Sequence, residues 1–314
     1  MRANALIHAA YGRILANGGS ADEYVQKIRE AKAIADEGND PSVQITLKAV
    51  LCHALWLSGR LREALQMNVE ATDRAHEIVK FDRQTLGFDI EVWLTVLRGR
   101  TLVMLGRGEE ARPFLDRIIQ LESSQVDALH HVIPSLAYVD LAWAEGNIGL
   151  AQMHADRAFS LAVKSGNSYL RVYAQSCRGL SHISAGRLTS AIDDLSEALR
   201  FARSRKAGLE NEARILADLA NAYRLNGDIQ SAFSTVNEAI DVATKRNARV
   251  PECFARMVHA ELLIRSGNDQ GIVGVQEFER AQALMRETGA NIFKAFIHPS
   301  KDELCDSKAS VKAS

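Results

Sequence analysis

Apolar residues along much of the chain follow steps of three and four, which is the spacing of one face of an α-helix. In the segment 188–202 the apolar positions are Leu188, Ala191, Ile192, Leu195, Ala198, Leu199 and Ala202. They form one stripe, and Asp193, Asp194 and Glu197 fall on the opposite face, which we predict to be solvated. Segment 229–243 repeats this pattern, and we find no convincing alternation of strand residues. The pattern predicts an all-α fold.

Glycines recur between these helical segments at a nearly constant interval. The successive steps are 41, 47, 40, 40, 41 and 40 residues, from Gly18 through Gly59, Gly106, Gly146, Gly186 and Gly227 to Gly267. A fixed period of this length is typical of stacked helical repeats. Each glycine is predicted to end the first helix of a pair, where a left-handed conformation costs glycine little. The extra length of the 47-residue step predicts a loop in residues 80–89.

Small residues occupy fixed places relative to the glycines. Five residues later come Ala64, Ala111, Ala151, Ala191 and Ala232, and seven residues earlier come Cys52, Gly99, Val139, Gly179, Ala220 and Ala260. Small side chains at such matched positions let two antiparallel helices approach closely. This spacing resembles the tetratricopeptide repeat, with a period longer than the usual ~34 residues. The longer form is similar to repeats of signal-transduction ATPases of the maltose-activator type.

The predicted architecture is therefore a tetratricopeptide-like superhelix of about six or seven antiparallel helix pairs. We expect one repeat array over residues 1–305, with units centred on the seven glycines, and a disordered tail over 306–314. The sequence also indicates where a helix begins. Asp40 followed by Pro41 is typical of an N-cap residue followed by a proline in the first turn of a helix. Pro134 predicts a helix that begins there and runs to Ala144, after a separate short helix at 126–131.

Composition and charge exclude several classes of function. The chain has 38 basic and 39 acidic residues and a net charge of −1, so it lacks the basic excess of a nucleic-acid-binding surface. No apolar stretch is long enough to span a bilayer. Four scattered cysteines, without a Cys-x-x-Cys pair, indicate reduced thiols rather than disulfides or metal ligands. We expect a cytoplasmic protein that binds neither nucleic acid nor membrane.

No catalytic, cofactor-binding or metal-binding residues are predicted. The sequence lacks a phosphate-binding Gly-x-x-x-x-Gly-Lys-Ser/Thr loop, and the adjacent His130 and His131 have no further ligand at metal-site spacing. The carboxylate pairs of the chain, such as Asp193 with Asp194, are interpreted as solvated residues that complement helix dipoles. Replacement of Asp194 by alanine is accordingly expected to be nearly silent. The prediction is a non-enzymatic chain.

A partner-binding groove is predicted on the concave face. In this repeat class the first helix of each pair lines that face, with side chains at fixed positions before the glycine. Aromatic and arginine side chains there are typical anchors for peptides and partner helices. The alternative is that the tryptophans only fill the seams between helices. The candidate groove residues are His53, Trp56, Trp93, Arg100, Asp140, Trp143, Tyr173, Arg214, Asn221, Arg224, Phe254, Glu261 and Arg265.

Four segments resemble one family in particular. Residues 18–40, 47–65, 93–112 and 286–305 are similar to the C-terminal repeat region of large bacterial class III adenylate/guanylate cyclases, which also carry a cyclase domain and an AAA-type ATPase domain. The pattern from Thr288 to His298 is the most specific part. The resemblance implies a regulatory or sensor arm of a cyclase–ATPase signalling protein, acting in cis or in trans.

Two functions are therefore compared. The first is a scaffold that binds a protein or peptide partner in the groove and regulates a cyclase or ATPase module. The alternative is an effector-sensing repeat domain with a small molecule in the bore of the superhelix, as in a signal-transduction ATPase or a transcription regulator. No cofactor is expected in either case.

Overall fold

The computed structural model describes residues 2–17, 20–78, 89–121 and 128–296. Within these ranges the chain is helical and contains no strand, which confirms the all-α prediction. Gly18, residues 80–88 of the predicted loop and the predicted tail lie outside the described residues. Asp89 is described and caps the helix that follows it, accepting a hydrogen bond from the amide of Val92 at 3.0 Å.

The described residues form seven successive helix pairs. The helices are α1 (Arg2–Asn17), α2 (Ala21–Glu37), α3 (Pro41–Leu57), α4 (Leu61–Asp73), α5 (Ile90–Met104), α6 (Gly108–Ile119), α7 (Ala128–Ala144), α8 (Ile148–Ser165), α9 (Ser168–Ser184), α10 (Leu188–Arg205), α11 (Glu212–Asn226), α12 (Ile229–Lys245), α13 (Arg249–Ser266) and α14 (Asn268–Thr288). Short 3-10 turns occur at Ala75–Glu77, Leu209–Asn211 and Asn291–Phe296. The predicted tetratricopeptide-like superhelix is confirmed.

The repeated glycines form the turns inside the pairs. From Gly59 onward, each of the six has a positive φ, between +67° and +84°. In the turn at Gly59, the amide of Arg60 bonds back to the carbonyl of Leu55 at 2.9 Å, and this bond recurs after Gly106, Gly146, Gly186 and Gly227. These bonds satisfy helix-end carbonyls, so the chain can reverse within two residues.

The two helices of each pair occupy different layers. The first helices of pairs two to seven contact one another in succession; they are α3, α5, α7, α9, α11 and α13. Each second helix from α2 to α12 packs between the first helix of its own pair and the first helix of the next pair. The first helices are correspondingly buried around most of their circumference, whereas α10 and α12 bury only one stripe. The first helices therefore form the inner layer.

Close helix crossings depend on the small residues. Ala64, Ala111, Ala151, Ala191 and Ala232 are all fully buried. A Cβ atom added to Gly179 in α9 would lie 2.5 Å from Cγ of Leu195 in α10. The repeat therefore requires a side chain of minimal size at this crossing.

Pro134 does not begin a helix, contrary to our prediction. It lies inside α7, which runs without interruption from Ala128 to Ala144. Proline lacks the amide that would bond to the fourth preceding carbonyl. Burial of α7 on nearly all sides by its neighbours offsets that loss, since Val132, Ile133 and Leu136 are all almost inaccessible. Tertiary packing here outweighs the local preference.

Asp194 is buried rather than solvated, so that expectation is wrong. Its carboxylate accepts hydrogen bonds from Arg178 at 2.6 and 2.7 Å and from Gln175 at 3.1 Å. The Nε2 atom of His182 lies 3.4 Å from the same carboxylate. These three partners lie on α9, so Asp194 joins the two helices of one pair.

The two ends of the described array meet. The guanidinium of Arg62, at the start of α4, donates hydrogen bonds to the carbonyl oxygens of Arg286 and Glu287 at 3.2 and 3.3 Å. The side-chain amide of Asn291 donates to the backbone carbonyl of Leu105 at 3.2 Å, and the side-chain amide of Asn247 donates to the carboxylate of Asp22. The superhelix therefore returns on itself, and its concave face becomes an enclosed bore.

We expect Asp194→Ala to lower the free energy of unfolding by about 1–3 kcal/mol, because it leaves the half-buried Arg178 without its carboxylate. Asp193→Ala is the matched control, since Asp193 is exposed and its loss should change stability by no more than about 0.5 kcal/mol. Denaturant unfolding followed by circular dichroism measures both. Equal stabilities of the two variants would contradict the buried contact.

We expect Gly179→Ala to destabilise the chain by about 1–3 kcal/mol, because the new methyl group collides with Leu195. Gly271→Ala in α14 is the control, since its Cβ would have open space around it. Alanine has the higher helix propensity, so the control should stabilise by up to about 1 kcal/mol. Thermal melts that shift in the same direction for both variants would refute the tight crossing.

Candidate functional site

The thirteen predicted groove residues lie mostly inside the molecule. Arg265 is the one exposed member. Trp93, Arg100, Tyr173, Asn221 and Phe254 are buried. The others are half-buried, namely His53, Trp56, Asp140, Trp143, Arg214, Arg224 and Glu261. Closure of the superhelix explains this burial, because side chains on the inner layer face other inner helices and the turn Asn291–Phe296.

The first group of these residues lies on α3 and α5. The guanidinium of Arg100 lies 4.0 Å from the centroid of the Trp56 ring, and His53 meets Trp93 edge to face with 5.3 Å between centroids. The Nδ1 atom of His53 is 3.5 Å from the hydroxyl of Tyr24. Burial, with the nearby charges of Arg13 and Arg100, lowers the pKa of His53 to about 3. His53 is therefore a neutral packing residue at neutral pH.

A second group is covered by the chain's own C-terminal turn, Asn291–Phe296. Phe293 is fully buried and stacks on Phe254 with 5.1 Å between centroids, and Trp143 meets both rings edge to face. The ring of Phe296 meets that of Phe254 edge to face, with 5.1 Å between the centroids. This end of the predicted groove is therefore filled by the turn.

Polar residues of the same group surround the turn. Arg224 lies 5.7 Å from the centroid of Phe296 and pairs with Glu261 at 3.2 Å. It also donates to the side-chain oxygen of Asn221 at 2.8 and 3.1 Å. Glu261 accepts from Arg265 at 3.2 Å as well. Asn221, Arg224, Glu261 and Arg265 thus form one network on α11 and α13.

A cavity remains in the middle of the bore, and we refer to it as the central cavity. It measures about 80 Å³ as the space open to the centres of water-sized spheres. Five predicted groove residues line it: Trp56, Arg100, Asp140, Tyr173 and Arg214. Its apolar wall includes Leu57, Leu61, Met104, Leu136 and Leu180. The central cavity therefore brings together part of the predicted groove from α3, α5, α7, α9 and α11.

One side of the central cavity is an ion cluster around Arg214. The Nε atom of Arg214 donates to Asp218 at 2.9 Å, and its Nη2 atom donates to Asp140 on α7 at 3.1 Å. Burial alone would lower the pKa of Arg214, but the two carboxylates raise it well above its usual value. Burial raises the pKa of Asp218 to about 6, although Arg214 acts in the opposite direction.

Glu210 also lines the central cavity and lies in the short turn before α11. Its Oε1 atom accepts a hydrogen bond from the hydroxyl of Tyr173 at 2.9 Å. Burial raises the pKa of Glu210, and hydrogen bonds from the backbone, Tyr173 and Tyr169 oppose that shift only in part. Arg214 also contacts the region covered by the turn Asn291–Phe296. Its guanidinium carbon lies 5.4 Å from the centroid of the Phe254 ring and 5.8 Å from that of the Phe293 ring.

Glu210, Asp218 and Cys177 lie in the cavity wall, although none of them was among the predicted groove residues. Asp218 stands four residues after Arg214 in an otherwise apolar stretch of α11, and an acidic residue in such a place was a usable signal. Glu210 lies outside the repeated helix positions, so periodicity could not identify it. Burial raises the pKa of Cys177, so its thiol stays protonated at neutral pH.

No group of three His, Cys, Asp or Glu side chains with the arrangement of a metal site occurs within residues 2–17, 20–78, 89–121 and 128–296. Over these same ranges, no helix has both the length and the apolar character needed to cross a membrane.

Comparison with known proteins gives one family match. The model described as tetratricopeptide repeat matches residues 170–245, which hold α9 to α12. No curated protein matches the chain. The family match agrees with the helix pairs described above and covers only the central part of the chain.

Solved structures resemble most of the chain at low sequence identity. A Rap protein complexed with Competence and Sporulation Factor has a TM-score of 0.63 and 11% identity over 87% of this chain and 75% of that one. A signal transduction ATPase with numerous domains that carries a tetratricopeptide repeat sensor, from Pyrococcus horikoshii, has a TM-score of 0.55 and 12% identity over 86% of this chain and 42% of that one. At these identities the likeness shows the fold alone.

We expect Phe293→Ala to lower the free energy of unfolding by about 3–5 kcal/mol, because it removes a fully buried ring that contacts Trp143 and Phe254. Lys294→Ala is the control, since Lys294 is the exposed neighbour in the same turn. Denaturant unfolding monitored by tryptophan fluorescence measures both. If the two variants unfold at the same denaturant concentration, the turn does not pack in the bore.

Proposed function

We propose that this chain is a non-enzymatic scaffold whose bore binds a segment of a protein partner. The observation that carries the proposal is the central cavity, where aromatic and arginine side chains from four inner helices line one space together with Asp140 of a fifth. Enclosed aromatic and arginine side chains are the typical energetic centres of protein interfaces, because binding desolvates them fully.

The size of the cavity limits what enters it. A water molecule needs roughly 10–15 Å³ by this measure, so a space of about 80 Å³ accepts a side chain or a chain end rather than a helix. The partner would therefore insert one residue into the central cavity and place the rest of its segment along the inner helices.

The turn Asn291–Phe296 favours binding by a short segment. The inner face around Trp143 and Phe254 already accepts Phe293 from a short turn of the same chain. An aromatic side chain from a short segment is thus compatible with this surface, and a partner with a similar residue could compete with the turn. The competition would link partner binding to release of Asn291–Phe296.

We further propose a regulatory role in a cytoplasmic signalling protein with an ATPase or nucleotide cyclase module. The support is the resemblance of four segments to the repeat region of cyclases and the fold shared with a signal transduction ATPase that carries a repeat sensor. This chain spans 42% of that structure. The module would act on, or be linked to, this chain in cis or in trans.

A second candidate is an effector sensor that binds a small molecule in the bore. The specific observation that favours it is the set of paired charged residues in the cavity wall, since Asp140, Arg214 and Asp218 interact with little exposure to solvent. In this case the ligand fills the cavity alone. The two candidates differ in whether a peptide segment adds affinity beyond the group inside the cavity.

The scaffold proposal is tested by selection of binding peptides from a random display library on the full chain. We expect selected peptides to bind Arg100→Gln at least tenfold more weakly, because Arg100 lines the cavity and stacks on Trp56. Arg107→Gln is the control, since Arg107 is exposed and pairs only with Glu110 nearby.

Circular dichroism confirms that each variant is folded before its affinity is measured. If Arg100→Gln is unfolded, Tyr173→Phe serves instead, since it removes only the hydroxyl that bonds to Glu210. Peptides that bind the cavity variant and the Arg107→Gln control with equal affinity would place the interaction elsewhere and refute the proposal.

A further inference from the structure

An apolar stripe on α1 faces solvent. Ile7, Tyr11 and Ile14 are 65%, 51% and 67% exposed, and Ala10 is exposed beside them. Steps of three and four residues place all four on one face of the helix. The helix packs on α2 and α3 with its other side. Several large apolar side chains on one exposed face, unlike a single exposed residue, mark an interaction site.

A glycine fixes the register of α1 within the repeat. A Cβ atom added to Gly12 would lie 2.9 Å from the ring of Tyr24, on the second helix of the same pair. Gly99 of α5 meets the second helix of its own pair in the same way, since an added Cβ atom would lie 2.4 Å from Leu115. Gly12 therefore corresponds to Gly99.

In this register the exposed stripe corresponds to a buried interface of a later repeat. Ile7 and Ile14 occupy the places of Leu94 and Thr101 in α5, which are 1% and 0% exposed. The carbonyl of Leu94 accepts a hydrogen bond at 2.8 Å from Asn68 of α4, so α5 meets the preceding pair at this place. No helix precedes α1 in the described part of the chain. The stripe is therefore the stacking surface of the repeat without a neighbouring pair.

The opposite end of the array has a different surface. After Ile272 and Val273 near its start, α14 exposes mainly polar side chains, among them Gln276, Glu279 and Arg280. A polar outer face of this kind is typical of a terminal repeat. Stacking of α14 of one copy on α1 of another is disfavoured, because it would bury these charges. The occupant of the stripe must offer an apolar face of its own.

The stripe is complementary to its own reverse. Its members are Ile7, Ala10, Tyr11 and Ile14. The steps between them are three, one and three residues, so the order is the same in both directions. In an antiparallel pair of α1 helices, the ring of Tyr11 meets the small Ala10 of the second copy. Ile7 likewise meets Ile14 of the second copy. A two-fold symmetric contact requires a self-complementary surface of this kind.

The charges beside the stripe permit this pairing. Arg2 pairs with Asp40 at 2.8 Å, and Nδ1 of His8 lies 3.7 Å from the carboxylate of Glu30. In the antiparallel arrangement, Arg13 lies opposite His8 of the second copy. The two exposed Arg13 side chains are therefore kept apart.

We propose that two copies of this chain pair through α1, antiparallel and about a two-fold axis between Ala10 and Tyr11. The interface lies outside the bore, so this inference goes beyond the proposed function and does not depend on it. A helix of 16 residues is about 24 Å long. A contact along one such helix is smaller than the ~1,600 Å² of a standard stable interface, so the dimer is weak and forms in the micromolar range.

Sedimentation equilibrium of the full chain, from low micromolar to several hundred micromolar, tests the dimer. We expect the average mass to rise from that of a monomer towards that of a dimer. Ile7→Glu should raise the dissociation constant at least tenfold, because it buries a charge against Ile14 of the second copy. Met153→Glu is the matched control, since Met153 is 57% exposed on α8 and should dimerise like the unaltered chain.

Circular dichroism confirms that each variant is folded, and Ile14→Glu replaces Ile7→Glu if the latter is unfolded. A monomer at every concentration overturns the inference and leaves the stripe to a different partner. A dimer that persists equally in the stripe variant and in Met153→Glu also overturns it, because the contact would then lie elsewhere.

Disulfide trapping tests the orientation. Chains carrying Ile7→Cys and Ile14→Cys are mixed and oxidised, and mass spectrometry locates the bond. The antiparallel pair predicts a bond between position 7 of one chain and position 14 of the other. Two positions 7 would lie about 10 Å apart along the helix axis, beyond the ~7 Å that a disulfide spans. A bond between two positions 7, without the mixed bond, would contradict the antiparallel pairing.

Discussion

The packing of the first helices against one another is the constraint on which the rest of the structure depends. These helices succeed each other along the inner layer, and the second helices contact that layer from outside at crossings where the small residues lie. Seven pairs arranged in this way bring α14 and the turn after it back to α4 and α5. A surface that would be a groove in an open array thereby becomes the interior of the molecule.

Closure changes the energetics of charged residues on the inner layer. An arginine or carboxylate in an open groove is solvated. In a closed bore it loses hydration free energy, and this loss destabilises the fold unless the group pairs with an opposite charge or a hydrogen-bond partner. Arg214, Asp140 and Asp218 meet this requirement by pairing across α7 and α11, and Asp194 meets it by pairing within one repeat. Glu210 meets it through the hydroxyl of Tyr173, which donates a hydrogen bond to its carboxylate.

Local rules predicted the repeats but not their closure. The glycine turns and the small residues at helix crossings follow from packing between neighbouring repeats, which a fixed period records in the sequence. The cap at Asp40 is a local signal at the start of one helix. Contacts such as Arg62 with Glu287 join residues more than two hundred positions apart, and no periodicity encodes them. The same limit explains the wrong prediction for Asp194. Its face of α10 was predicted to be solvated, because the periodicity of one helix does not show partners that lie on another helix. It also explains why Trp143 and Phe254 were expected in an open groove although Phe293 covers them.

The measurement that tests this account most directly is a photo-crosslink across the closure. p-Benzoyl-phenylalanine is placed at position 62, where Arg62 is exposed and touches the carbonyls of Arg286 and Glu287. After irradiation of the dilute chain, mass spectrometry of the digested monomer locates the attachment. A closed bore predicts an intramolecular crosslink to the end of α14 or the turn that follows it. Crosslinks confined to α3, α4 and α5 would mean that the array is open and that the central cavity does not exist as described.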